Sequence, residues 1–380
     1  MHQPAPVARF LRNRRGGALG HLRQLRGQAR ADAVRRLLTR GTATNGSGPE
    51  PPQAQAARAQ PAQADAPRVR GYHLHDNEHL AAAVRRAARE QLDDAIEQLT
   101  EAIDDDPVSA VHEARKSLKK ERALLRLVSD SFAPAVYRRE NRALRDAGRR
   151  LSGPRDADVL VEAIDGLAER CAARLPASTF AQVRTVLVGD QLRARAAAAA
   201  DHGAVEGVVA ELRGARARIE DWPVAGDEFA VIDGGLARAY ALGAERFEQV
   251  LRKPSVENLH EWRKRVKDLW YHLRIVKPMW PAVLGGQVKQ ASELADLLGE
   301  DHDLAVLDQK LAEPTLARRV VADLRPLREL IDRRRLELQA RARFLGMRLY
   351  ADRPRAYPRR MRRLWEAWRA EGAQPPEIWS

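Results

Sequence analysis

The strongest constraint on this chain is an internal repeat of one helical segment. Residues Val111–Val128 align without gaps on Leu259–Val276, at an offset of 148 positions, and both segments contain His-Glu-x-Arg-Lys-x-x-Lys. Eight of the eighteen aligned positions are identical and six of those eight are polar, which exceeds what shared amphipathicity would give. A second match aligns Leu151–Asp156 with Leu298–Asp303. The chain therefore contains two diverged copies of one helical unit, at about 77–221 and 234–371.

The residues around this repeat predict an all-α fold. Apolar residues recur at helical spacing from about Asn77 onward, and aromatic residues make up only 5% of the chain. We expect breaks wherever Pro, Gly or a capping residue falls, with Ser255, Asp156 and Asp303 as helix-start caps. The predicted helices are 78–104, 108–131, 135–151, 156–174, 178–200, 205–220, 234–251, 255–276, 282–298, 303–311, 315–345 and 354–371.

Residues 1–70 have a different composition and are predicted to be a disordered arm and linker. Residues 1–40 carry ten arginines against the single Asp32, and a stretch rich in Pro, Gln and Ala follows from Pro51 to Pro67. The Arg-rich start superficially resembles an organelle transit peptide, but the long polar linker favours a basic arm. The net charge of +14 lies mainly in this arm, so residues 71–380 total only +4. An anion can bind this nearly balanced body only where its cations are gathered on one surface.

The repeated segment, drawn as a helix, gathers cations in this way. At about 100° per residue, its histidine and basic residues form one stripe, turned about 120° from an apolar stripe and about 21 Å long. The apolar stripe should face the core, so the basic stripe faces a groove or solvent. Like charges on one face repel one another. A single helix of this kind would most simply present a solvated face, but the repetition beside the same histidine favours an anion-binding surface. The stripe residues are His112, Arg115, Lys116, Lys119 and Arg126 in the first copy and His260, Arg263, Lys264, Lys267 and Arg274 in the second.

More basic residues follow the first stripe on the next predicted helix. Arg138, Arg142, Arg145 and Arg149 recur at i, i+4, i+7 and i+11, whereas the second copy keeps only Lys289, which aligns with Arg142. We therefore expect an asymmetric anion-binding surface that includes these five residues.

Taken together, these motifs resemble the CHAD family, the conserved-histidine α-helical domain. The resemblance covers roughly residues 77–371 and rests on the two stripes, on Arg155-Asp156 and His302-Asp303, and on Gly235–Tyr240. It implies two four-helix bundles related by a pseudo-two-fold axis, followed by C-terminal helices, and a basic central cavity lined by the two histidine helices. It also implies binding of inorganic polyphosphate, without a cofactor, at cytoplasmic polyphosphate granules.

The sequence departs from the family pattern at three points. Arg155 stands where the second copy has His302, and the second copy has lost most of the arginines that follow the first stripe. The first 70 residues also lack the alternating Glu-x-Glu-x-Lys strand of the triphosphatase-like domain that is often fused in front. Unequal contributions of the two copies are therefore expected.

Two other function classes fit parts of the sequence. Nonspecific nucleic-acid binding fits the basic arm, although a single-strand channel would interleave aromatic residues and only Tyr271 falls near a stripe. A metal-dependent polyphosphate phosphohydrolase would need clustered carboxylates. Asp93-Asp94 and Asp104–Asp106 have no partner cluster in the other copy, so we expect no enzymatic activity.

No metal site or membrane association is expected. His112 and His260 could approach each other, but two imidazoles among many cations make a poor cation site. His73, His75 and His79 are interpreted as a junction between linker and helix. Cys171 is the one cysteine, which excludes an intramolecular disulfide and favours the cytoplasm. No apolar run approaches the ~20 residues that span a bilayer.

Overall fold

The computed structural model describes residues 71–373 except 77, 200 and 201, and only the backbone of 153–156, 198, 199, 202 and 204. Within these ranges every regular element is a helix, which confirms the predicted all-α fold. The predicted arm, residues 1–70, lies outside the described residues. The first copy forms α1 (Leu80–Glu97), α2 (Pro107–Leu127), α3 (Pro134–Arg150), α4 (Gly153–Cys171), α5 (Ala177–Ala199) and α6 (His202–Ala217). The second copy forms α7 (Ala230–Arg252), α8 (Val256–Val276), α9 (Pro281–Leu311), α10 (Pro314–Ala317), α11 (Arg325–Leu349) and α12 (Ala356–Ala373).

Side chains at the start of the two histidine helices, α2 and α8, set where these helices begin. The Asp106 carboxylate accepts from Ser109 N at 3.1 Å and Pro107 opens α2. Ser255 Oγ accepts from Asn258 N at 3.3 Å at the start of α8, which confirms the predicted cap. Each cap satisfies a backbone donor that has no partner within its helix.

The helices pack as two bundles. In the first copy α2 packs against α1 and α3, and α6 closes the bundle against α1 and α3. In the second copy α8 packs against α7 and α9, and α9 packs against α11. The α4–α5 hairpin of the first copy lies against α9 of the second, and α12 packs on α7. The two copies therefore share contacts rather than forming separate domains.

The structure corrects the prediction of a helix break near Gly299. Residues 282–311 were predicted as two helices, with Asp303 as the cap of the second, but α9 runs unbroken through both. Gly299 is tolerated inside the helix, at a modest cost in free energy. The first copy does break at the aligned position, where Pro154 lies in the first turn of α4. Proline lacks the N–H that a continuous helix would need, so this one residue accounts for the difference.

A second correction concerns the helix predicted at 315–345. The structure has the short helix α10 and then α11, which begins at Arg325. Pro326 stands in the first turn of α11, where it has no N–H to donate to an earlier turn and its ring would clash with the carbonyl four residues before it. The turn before α11 follows from that proline.

The C-terminal halves of α2 and α8 meet at a polar contact between the copies. The ring of His272 is buried, and its Nε2 lies 2.8 Å from Ala123 O. Burial lowers the pKa of His272 to about 4, so the neutral ring donates this hydrogen bond at pH 7. Arg126 Nη2 donates to Asp268 Oδ1 at 2.6 Å. Helix α7 approaches the same place so closely that a Cβ on Gly235 would lie 1.9 Å from Leu127 O, which excludes a side chain.

Candidate anion-binding site

The apolar stripes of α2 and α8 face the core, as predicted. Ala114, Leu118, Leu125, Leu259, Trp262, Val266 and Leu273 are buried, and Val111 is partly buried. The basic stripes consequently lie at or near the surface. His112, Lys116, Lys119 and Lys264 are exposed, whereas Arg115, Arg126, His260, Arg263, Lys267 and Arg274 are half-buried.

The glutamate of the repeated motif pairs with one lysine in each copy. Glu113 Oε2 lies 2.9 Å from Lys116 Nζ, and Glu261 forms the same i,i+3 ion pair with Lys264. The hydrogen bond from Lys264 lowers the pKa of Glu261. All four side chains are more than 40% exposed, so these pairs contribute little to stability. They tether one ammonium group beside each histidine.

The arginine of the motif is used differently in the two copies. Arg115 Nη1 donates to the carbonyl oxygens of Leu151 and Ser152, at 3.3 and 3.4 Å, where α3 ends. In the second copy α9 continues through the aligned position, and its carbonyls are taken up within the helix. Arg263 instead lies against Gly299, and its Nε is buried without a hydrogen-bond partner among the described residues. The helix break thus gives Arg115 acceptors that Arg263 lacks.

His260 packs against His302 of α9, a motif residue that was not predicted to be a site residue. The ring centroids lie 4.5 Å apart at an interplanar angle of 32°, and His302 Nδ1 is 3.4 Å from Asp303 Oδ1. Burial lowers the pKa of His260, and His302, Lys264 and Arg263 lower it further. Neighbouring cations alone would also lower the pKa of His260, but its removal from water has the larger effect. His260 Nδ1 is buried and has no partner in the described part of the chain.

A cleft of about 360 Å³ lies between α4 of the first copy and α8 and α9 of the second. Its cations are Arg170, Arg263 and Lys267, and its carboxylates are Glu162, Asp296, Glu300 and Asp303. Burial, and then Arg263, lower the pKa of Lys267, while burial raises the pKa of Asp296. In the described residues no carboxylate lies within 4 Å of Lys267 Nζ. The cleft therefore has mixed charge, which the stripes alone did not predict.

The last basic residue of each stripe has a structural partner. Arg126 pairs with Asp268 as described above, and its side chain is 25% exposed. The Arg274 guanidinium lies over the rings of Trp270 and Tyr72, at 5.2 and 5.6 Å. The rest of each stripe runs from His112 to Lys119 in α2 and from His260 to Lys267 in α8.

The arginine row of α3 lies apart from the cleft. Arg138 and Arg142 line a separate groove with Glu211 of α6. Arg145 and Arg149 lie 2.9 and 3.8 Å from Asp146, and Lys289 is exposed on α9. None of these five basic residues is among the described residues that line the cleft.

Other residues singled out by the sequence have local roles. Asp93 pairs with Arg216, and Asp106 caps α2. His79 Nδ1 lies 3.2 Å from Asp227 Oδ2, which ties the start of α1 to the segment before α7. The described residues hold no group of three or more His, Cys, Asp or Glu side chains arranged to bind a metal ion. None of the described helices is both long and apolar enough to cross a bilayer.

Comparison with known proteins places this arrangement. A sequence profile of the CHAD domain matches residues 86–312, more than half of the chain. The chain belongs to the CHAD family. The matched residues include both histidine helices, the hairpin and α9, so the cleft lies within the CHAD domain. No curated protein sequence matches the chain.

Solved structures share this fold. The CHAD domain from the plant Ricinus communis is 17% identical, with a TM-score of 0.50, over 74% of this chain and 95% of that one. PptA from Streptomyces chartreusis is 14% identical, with a TM-score of 0.50, over 72% of this chain and 100% of that one. At these identities the likeness concerns the fold alone.

Proposed function

We propose that this CHAD protein binds inorganic polyphosphate through the basic stripes of α2 and α8, from His112 to Lys119 and from His260 to Lys267. One observation carries the proposal: polar groups of α8 that are turned towards α9 and the cleft lack protein partners. His260 Nδ1 and Arg263 Nε are buried without partners, and Lys267 Nζ has no ion pair, all within the described residues. Arg263 and Lys267 line the cleft, so charged oxygens of a ligand bound there can reach these two side chains.

The chemistry of the stripes favours a phosphate chain over a nucleic acid. Polyphosphate offers charged oxygens and no bases, so it needs guanidinium and ammonium groups and no stacking surface. Tyr271, the aromatic residue predicted near a stripe, is 4% exposed, and Arg274 covers Trp270. Base stacking would need rings open to the ligand. The resemblance of the motifs to the CHAD family supports the same ligand.

The carboxylates of the cleft set conditions on this binding. Asp296 and Asp303 oppose a bound anion, and burial already raises the pKa of Asp296. Lys267 and Arg263 offset both, and protonation of His260 or Asp296 would favour the anion further. We therefore propose a binding role that strengthens as the pH falls. Location at polyphosphate granules is proposed on the family resemblance alone.

A competition assay on the full chain tests the proposal. Labelled polyphosphate is displaced by unlabelled polyphosphate or by single-stranded DNA of equal charge, for the wild type and for Arg263→Gln/Lys267→Gln. We expect polyphosphate to compete better, and the double variant to bind at least tenfold more weakly. The matched control is Arg359→Gln/Arg363→Gln, which removes two exposed charges from α12. The proposal is contradicted if DNA competes as well as polyphosphate, or if Arg263→Gln/Lys267→Gln binds as tightly as Arg359→Gln/Arg363→Gln. A separate assay for released phosphate detects hydrolysis.

A further inference from the structure

The groove between α3 and α6 is a second place where cations, here Arg138 and Arg142, form no ion pair with the described residues. It has a volume of about 680 Å³ and is lined by Ala135, Arg138, Arg139, Arg142, Ala143, Asp146 and Arg150 of α3 with Glu211 of α6. None of these residues lines the cleft between α4, α8 and α9. The two regions are therefore separate candidate sites.

Ion pairs hold the walls of the groove in place. Arg139 Nη2 lies 2.7 Å from Glu140 Oε1, and the carboxylate of Glu140, which is 3% exposed, also binds Arg218, directly after α6, at 2.9 Å. Arg150 pairs with Glu211 across the groove. The small side chains of Ala135 and Ala143, eight residues apart on α3, leave space between the arginines. The hollow therefore follows from the sequence of α3 and from its packing on α6.

Arg138 and Arg142 supply the open charge of the groove. Both are exposed, and among the described residues no carboxylate lies within 4 Å of either guanidinium. They stand one helical turn apart, about 6 Å along the axis. A guanidinium binds a phosphate group through two parallel hydrogen bonds. Two of them at this spacing suit alternate phosphates of a chain better than a single anion.

The groove belongs to the first copy alone. At the offset of 147 that aligns Leu151 with Leu298, Arg138 and Arg139 correspond to Gly285 and Gly286, and Arg142 corresponds to Lys289. Arg150 corresponds to Leu297, so the second copy has none of the four arginines on which the groove depends and keeps one cation, Lys289. The basic groove is therefore a feature of the first bundle, and it does not follow from the repeated histidine helix.

We infer that the α3–α6 groove is a second binding site for an inorganic phosphate chain, on the outside of the first bundle. No aromatic residue is among the groove's described lining residues, which favours a bare phosphate chain over a nucleotide. The inference rests on the proposed function for the identity of the ligand, but it uses different residues. A polyphosphate long enough to occupy both sites gains affinity from the second, because that binding step becomes intramolecular.

Isothermal titration of the full chain with tripolyphosphate tests this inference. We expect two tripolyphosphate molecules per wild-type chain, and one for Arg138→Gln/Arg142→Gln. The melting temperature should stay close to the wild-type value, because both side chains are exposed and neither forms an ion pair within 4 Å among the described residues. Arg359→Gln/Arg363→Gln is the matched control, because it removes two exposed arginines at the same i,i+4 spacing from α12. It should keep both sites.

The outcomes separate this inference from the proposed function. Loss of one site in Arg138→Gln/Arg142→Gln, with the other lost in Arg263→Gln/Lys267→Gln, supports both. If one site is lost in Arg138→Gln/Arg142→Gln but none is lost in Arg263→Gln/Lys267→Gln, the groove is supported as a site and the proposed site at α8 is contradicted. Unchanged stoichiometry and affinity in the α3 variant overturn the groove as a site. Displacement of tripolyphosphate from the groove by ATP or oligothymidylate at equal charge and equal concentration overturns its assignment to a bare phosphate chain.

Discussion

Replacement of Asp268 by asparagine tests how strongly the two copies depend on each other. Its carboxylate is 9% exposed, lies 2.6 Å from Arg126 of the first copy and 3.2 Å from Arg265 on its own helix. Removing one partner of a fully buried ion pair costs about 3–5 kcal/mol. Arg126 and Arg265 are 25% and 28% exposed, so water recovers part of their hydration. We therefore expect Asp268→Asn to lower the free energy of unfolding by about 2 kcal/mol.

A double-mutant cycle isolates the contact between the copies. Urea denaturation of the wild type, Asp268→Asn, Arg126→Gln and the double variant should give a coupling free energy of about 1–2 kcal/mol. Asp165→Asn is the control, since Asp165 pairs with exposed Arg184 and its loss should produce no measurable change. Additive effects of the two substitutions, to within about 0.3 kcal/mol, would refute the idea that this pair joins the copies.

Three further predictions concern single residues and pH. Polyphosphate affinity should rise as the pH falls from about 8 to about 6, because burial lowers the pKa of His260 in the free protein and a bound anion raises it. Titration calorimetry in two buffers should show proton uptake on binding, and less uptake in His260→Gln. A binding enthalpy that does not depend on the buffer contradicts this prediction. Lys267→Met should weaken polyphosphate binding at least fivefold, yet it should stabilise the fold near pH 7, because the folded-state pKa of Lys267 is lowered. The gain in the free energy of unfolding, measured by urea denaturation, should vanish above the unfolded-state pKa of ~10.4. A gain that persists above that pH points to better packing by methionine instead. Arg115→Met should lower the free energy of unfolding by about 1 kcal/mol, because it removes the hydrogen bonds to the carbonyl oxygens at the end of α3. Arg263→Met, at the aligned position, should mainly weaken polyphosphate binding. If Arg115→Met mainly weakened binding and Arg263→Met mainly lowered stability, the roles assigned to these residues would be wrong.

The sequence predicted the helices wherever apolar periodicity and capping residues agreed. The apolar stripes of α2 and α8 and the cap at Ser255 follow from local chemistry, and the structure bears them out. The break predicted at Gly299 was wrong because glycine only weakens a helix, whereas Pro154 in the first copy removes a donor. Proline marks a helix start at Pro154 and also at Pro326, which the predicted helix 315–345 overran, whereas Gly299 marks none.

The candidate site was only partly predictable, because periodicity gives the face of a helix and not what packs against that face. The repeat placed His260, Arg263 and Lys267 on one stripe, but the contact of His260 with His302 depends on how α8 crosses α9. The carboxylates of the cleft come from α4 and α9, and the alignment carried no sign of their approach. The arginine row of α3 was visible in the sequence, whereas its separation from the cleft required the position of α6.

The contact between α2 and α8 also limits how the two copies can pair. At the offset of 148, Asp268 corresponds to Lys120 and His272 to Leu124, while Arg126 corresponds to Arg274. Two first copies that met in the same way would set Lys120 against Arg126, which carry like charges. The carboxylate that joins the two bundles is therefore supplied by the second copy, and this ion pair cannot form between two first copies.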